Sequence, residues 1–166
     1  MDTRLAIASR RETREYADRP LSDQVVRAIL DAGRLAGSAK NRQPWRFLLV
    51  ENEAAREQLA EAVFEPRNVR GAQLIIAILG RSSLDTGRCA QNMLLAAWNE
   101  GVGSCPNGQK DPDAARAALG LGEDDEIATV LTFGYPARER HPERRTPEEW
   151  SSRADRKPLG ELVERI

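Results

Sequence analysis

Apolar residues recur along the chain with two different periods, and the change from one to the other outlines the elements. After Leu21, Ser22 stands as a cap before a run in which Val25, Val26, Ile29, Leu30, Gly33 and Leu35 fall near i, i+3, i+4 spacing. This predicts an amphipathic helix ending near Gly37. Residues 85–100 repeat the pattern, with Ala90, Met93, Leu94, Ala97 and Trp98 on one side and Gly101 as the stop, so a second long core helix is expected there. Residues 46–50 and 74–79 are short β-type runs, the second apolar throughout, and a Glu/Ala/Arg-rich helix over residues 53–63 separates them. Residues 126–133 alternate toward a buried strand that breaks at Gly134-Tyr135-Pro136, and short helices are expected over residues 2–10 and 114–119. Helices and short strands mix without a regular βαβ repeat, which makes the class α+β rather than a doubly wound sheet.

Composition narrows this picture. At 166 residues and 40% apolar content the chain reads as one domain around one core. Low complexity is confined to a Pro/Arg/Glu-rich stretch over residues 136–147, the start of a C-terminal arm over residues 136–166. The 25 basic and 26 acidic residues leave a net charge of −1, so no global field recruits nucleic acid or an anionic membrane, and any anion must be bound locally. Cys89 and Cys105 lack CxxC spacing, no apolar leader opens the chain, and the run at 74–79 is far short of the ~20 residues of a spanning helix. A reduced, cytoplasmic protein without a membrane partner is expected. There is no Ser/His/Asp set and no metal-ligand cluster. The single histidine, His141, lies in the arm, and Glu123-Asp124-Asp125-Glu126 reads as a solvated loop. No side chain is therefore assigned as catalytic, and no metal site is expected.

Three polar segments carry the remaining information. Arg10-Arg11-Glu12-Thr13-Arg14 places three guanidinium groups within five residues. At a helix end the pair Arg10 and Arg14 can point the same way and clamp a dianionic phosphate, although such a cluster taken alone is more often a solvated turn. Ser38, Asn41 and Gln43 lead into Pro44-Trp45 and an apolar strand, and the two amides carry both a donor and an acceptor. Without a ligand this is a Pro-anchored turn with Trp45 in the core. Gly101-Val102-Gly103-Ser104-Cys105-Pro106-Asn107-Gly108 is, by itself, a Gly-rich turn between helix and strand.

In order and spacing these segments resemble the FMN-dependent nitroreductase family over residues 8–160. Its members carry an Arg-Arg-Ser-x-Arg phosphate motif, a Ser-x-x-Asn-x-Gln-Pro-Trp turn and an Arg-rich C-terminal segment. The resemblance implies a central, mostly antiparallel sheet flanked by helices, with the C-terminal arm exchanged in a homodimer. It implies that Arg10, Arg11, Glu12 and Arg14 meet the FMN phosphate, Glu12 standing where the family has serine and serving through its backbone N–H, and that Arg156 returns to that phosphate with Arg153 or Lys157 as substitutes. Ser38, Asn41 and Gln43 would meet the flavin ring, and Arg67 its N1/O2 edge. A main-chain N–H at Gly108 would donate to flavin N5, beside Pro106 and Asn107, with Cys105 as a small residue packed against the flavin face. The implied activity is ping-pong: NAD(P)H passes hydride to N5 and leaves, and a small acceptor such as a nitroaromatic or quinone takes its place. The long excursion of larger members is reduced to residues 80–84, which implies a more open pocket. A non-catalytic flavin-binding module, or dehalogenation, flavin fragmentation or deazaflavin chemistry on the same fold, are the alternatives.

Overall fold

Strand β2 (Leu74–Leu79) decides the architecture of the computed structural model, which describes residues 1–81 and 83–166. It lies in a four-stranded antiparallel sheet of order β1-β2-β4-β3, with β1 (Arg46–Leu49) and β3 (Gly103–Asn107) at the edges and β4 (Ile127–Gly134) beside β2. Both faces of β2 are covered. Ile75, Ala77 and Leu79 join a core with Leu59, Val63 and Ala115, while Ile76 and Ile78 join another with Ile29, Met93 and Phe133. A strand buried on both sides has no polar face to alternate with, which is why its sequence is apolar throughout.

The expected long helices are α2 (Asp23–Arg34) and α5 (Leu84–Asn99), which pack on each other and on one face of the sheet. On the other face lie α3 (Glu53–Ala62), α4 (Pro66–Gly71) and α6 (Pro112–Ala118). Side-chain caps start each long element: Ser22 accepts from the Val25 N–H at 3.4 Å, Asn52 from Ala55 at 2.9 Å, and Ser83 forms a capping box with Thr86. Leu35, expected on the apolar stripe of α2, is the C-cap and is exposed, because the helix stops at Arg34. The hydrophobic pattern does not predict helix α4; six residues are too few to show a period. Tertiary contacts hold it: the Arg56 guanidinium donates to the carbonyls of Val69 at 3.0 Å, Arg70 and Ala72, and Arg70 forks onto Glu57 and Glu61. Strand β3 replaces the expected turn. Its Gly-Ser-Cys-Pro-Asn composition is poor for a central strand, but an edge strand whose one neighbour in the sheet is β4 tolerates Pro106. Ser82, in the short connection at residues 80–84, lies outside the described residues.

These elements belong to one compact unit, Arg11–Arg140; a second unit joins Met1–Arg10 to His141–Ile166. In the second, α1 (Thr3–Ser9) packs on α7 (Pro147–Ser152), Arg4 pairs with Glu148 at 2.7 Å, and the Trp150 indole N–H donates to the Pro142 carbonyl at 2.8 Å. The arm is thus partly structured, and its first five residues, 136–140, group with the sheet unit. Among the described residues no helix is long and apolar enough to cross a membrane.

Candidate functional site

The turn before β1 is built from its own polar residues. Ser38 Oγ accepts from the Gln43 N–H at 2.8 Å, the Asn41 N–H donates to the Ser38 carbonyl at 3.0 Å, and the Ala39 N–H donates to Asp85 on α5 at 3.1 Å. Lys40, Asn41 and Gln43 all sit at positive φ, between 48° and 54°. Left-handed backbone at non-glycine residues is unfavourable by about 1 kcal/mol or more each, and such strain concentrates at functional segments. It turns the amides of Asn41 and Gln43 outward, where both are exposed. Trp45, expected in the core, is only partly buried: it packs on the core and also lines, with Leu30, Phe47 and Gln43, an open hollow of about 610 Å³.

The arginine segment does not form the expected helical clamp. Helix α1 ends at Ser9, Arg10 is its C-cap with extended ψ of 133°, and residues 11–16 run extended. Glu12 bridges Ser104 of β3 in parallel, and the Thr13 N–H donates to the Ser104 carbonyl at 3.0 Å. Arg10 belongs to the smaller unit and Arg11, Glu12 and Arg14 to the larger one. The hydroxyls of Thr13 and Ser104 are buried with no hydrogen-bond partner among the described residues.

Beneath the end of β3 runs a chain of buried polar groups. Asn68, on α4, is 2% exposed and its Nδ2 donates to Asn107 Oδ1 at 2.8 Å. The Asn107 Nδ2 faces the carbonyls of Cys105 (3.0 Å) and Val130 (3.2 Å) and the Thr132 hydroxyl (3.1 Å). Thr132 in turn meets the Tyr16 hydroxyl at 3.0 Å. Burial raises the Tyr16 pKa far above its usual range, so the phenol stays neutral. Cys105 is buried, its sulfur 3.6 Å from Asn68 Nδ2. The residue after Asn107, Gly108, is exposed. Its carbonyl accepts from the Phe64 N–H at 3.0 Å, and no acceptor among the described residues meets its own N–H. A Cβ at Gly108 would lie 3.1 Å from the Phe64 ring, which is 68% exposed beside it.

The structure therefore gathers Glu12, Cys105, Pro106, Asn107 and Gly108 at the β3 edge, and Ser38, Asn41 and Gln43 at the β1 edge. Three interstrand spacings, about 14 Å, separate these edges. Arg67 is exposed on α4 and Arg156 is exposed in the smaller unit. Sequence reasoning does not find Asn68, whose partner lies 39 residues away, and it places Asn107 beside the Gly108 donor as a cofactor-binding residue, whereas its amide is turned into the protein. Nothing local to either residue signals this.

The model of the nitroreductase family matches residues 7–81 and 67–135. An Archaeoglobus fulgidus protein that carries the name NADH dehydrogenase/NAD(P)H nitroreductase is 32% identical over 148 residues, 81% of this chain and 85% of that one. An NADH dehydrogenase of Thermus thermophilus is 27% identical over 190 residues, covering 89% and 93%. Among solved structures, a protein described as a nitroreductase from Desulfovibrio desulfuricans in complex with FMN superposes with a TM-score of 0.84 at 29% identity, covering 100% of this chain and 98% of that one.

Proposed function

This chain belongs to the nitroreductase family, and on that premise we propose that it is a homodimeric, FMN-dependent NAD(P)H oxidoreductase acting on small acceptors such as nitroaromatics or quinones. The observation that carries the reading is the Gly108 N–H, a backbone donor of an exposed residue with no acceptor among the described residues, set just after a strand whose last residue, Asn107, is already engaged with Asn68, Cys105, Val130 and Thr132. A donor so placed meets a ligand without rearrangement. The other residues fit the same group. Asn41 and Gln43 offer neutral donors and acceptors for a flavin ring, and Arg10, Arg11, Arg14 and Arg156, with the Glu12 backbone, offer a counter-charge for its phosphate. Ser38 holds the turn; Cys105 and Pro106 flank the donor.

Bound FMN supplies the hydride chemistry that no side chain here provides. The protein's part is to orient: Asn68 and Asn107 fix the backbone at Gly108, the 38–45 turn presents its amides, and the exposed Phe64 ring borders the donor. Because the two clusters lie at opposite edges of one sheet, a second copy is needed to bring a Gly108 and an Asn41–Gln43 turn to one flavin. The Desulfovibrio desulfuricans complex supports FMN as the cofactor.

The test is binding and turnover. Purified protein should hold FMN stoichiometrically and oxidise NADH or NADPH when a nitroaromatic is added. Arg14→Ala should weaken FMN by about 1.5–3 kcal/mol while leaving riboflavin, which lacks the phosphate, unaffected. Protein that neither binds FMN nor turns over would exclude this function.

A further inference from the structure

Helix α2 carries a stripe at i, i+3, i+4 and i+7 spacing, Arg27, Leu30, Asp31 and Arg34, beside the β1 edge of the sheet. Trp45, Phe47 and Leu49 face that stripe from the strand, because alternate positions of an extended chain share a side. Strand β1 has β2 as its one neighbour in the sheet, so the valley between stripe and strand stays open among the described residues. This is the hollow of about 610 Å³ that Trp45 lines, and its volume falls in the ~300–1,000 Å³ range of small-molecule sites.

The charges around its apolar walls do not cancel. Arg34 is committed to Asp31, its Nε 2.7 Å from the carboxylate, and that pair sums to zero. Arg27, at the other end of the stripe, is exposed and has no ion-pair partner among the described residues. One planar, permanently charged group is thus left over beside an indole, a phenyl ring and two leucines. A guanidinium meets a carboxylate fork to fork, and the two rings offer their faces to a flat π system. A single net positive charge is the complement of a monoanion rather than of a phosphate dianion. We propose that this hollow binds a flat aromatic monocarboxylate, its ring packed against Trp45 and Phe47 and its carboxylate on Arg27. The site goes beyond the activity proposed above and does not rest on it: α2 and residues 43–49 supply its walls, and of these only Gln43 is also assigned to the flavin.

Calorimetric titration of the full chain with naphthoate and with its neutral isostere naphthamide decides it. Wild type should bind the carboxylate about tenfold more tightly than the amide, and added salt should narrow that preference. Arg27→Gln removes the charge from an exposed, unpaired position, so the melting temperature should hold. In that variant naphthoate should weaken about tenfold, to the level of naphthamide, while naphthamide itself is unmoved. Trp45→Leu should weaken both ligands alike, since it removes the ring face and leaves the cation. Equal affinity of wild type for the two ligands, a carboxylate preference that survives in Arg27→Gln, or binding of neither ligand overturns the proposal. Light scattering covers the rival occupant. If neither ligand binds and Arg27→Glu turns a dimer into a monomer, the hollow is a face between copies of this chain, and the small-molecule site is lost.

Discussion

Asn107 makes its hydrogen bonds where water does not reach: its amide nitrogen faces two carbonyls and a hydroxyl, and its oxygen takes the Asn68 donor. Replacing that nitrogen by an oxygen would set acceptor against acceptor in a buried space. Asn107→Asp should therefore lower stability by about 3 kcal/mol, more than Asn107→Ala, as read from urea midpoints. Equal stability of the Asn107→Asp variant and the wild type would place the side chain in water and remove its positioning role. Along the sequence Asn107 looks like any polar residue next to a ligand-facing glycine. The sequence singles out Arg67 on its stretch, yet the buried group is its neighbour Asn68, about 100° further round a helix that sequence pattern does not reveal.

The turn at residues 38–45 and the end of β2 are coupled elements. Gly80 has φ of 132°, and a Cβ on it would lie 2.3 Å from the Pro44 carbonyl oxygen. Gly80→Ala combines a disfavoured backbone with a clash that side-chain rotation cannot relieve. It should cost about 2–4 kcal/mol in thermal unfolding and also weaken flavin binding through the displaced Asn41–Gln43 turn. A variant with wild-type stability would mean the two loops are not held against each other. Legibility of elements followed their length. Helices of 12 and 16 residues repeat a period several times over, and β2 announces itself by six apolar residues in a row. Strand β3 and helix α4 are five and six residues long and are set by neighbours, β4 for the first and Arg56 with Glu57 and Glu61 for the second.

At the scale of the whole molecule, the separation of Gly108 from the Asn41–Gln43 turn is the reason to expect a dimer, and the C-terminal segment is the candidate for holding it. Leu159, Leu162 and Val163 are exposed there beside Arg156. Truncation after Arg140 removes all four and leaves the sheet unit whole, so light scattering should report monomers and absorbance should report lost FMN. Truncated protein that stays dimeric with full FMN would take Arg156 out of the site. The family, the two long helices, the buried strand and the positions of the Asn41–Gln43 turn and Gly108 were determined by the sequence itself, because each is written in residues adjacent in the chain or a turn apart. Only the tertiary structure decided that Asn68 meets Asn107, that Glu12 pairs with Ser104, and that the two candidate clusters stand on opposite edges of one sheet. Those relations depend on strand order and pairing register between residues far apart in the chain, and a local hydrophobic pattern carries no information about which distant strand becomes a neighbour.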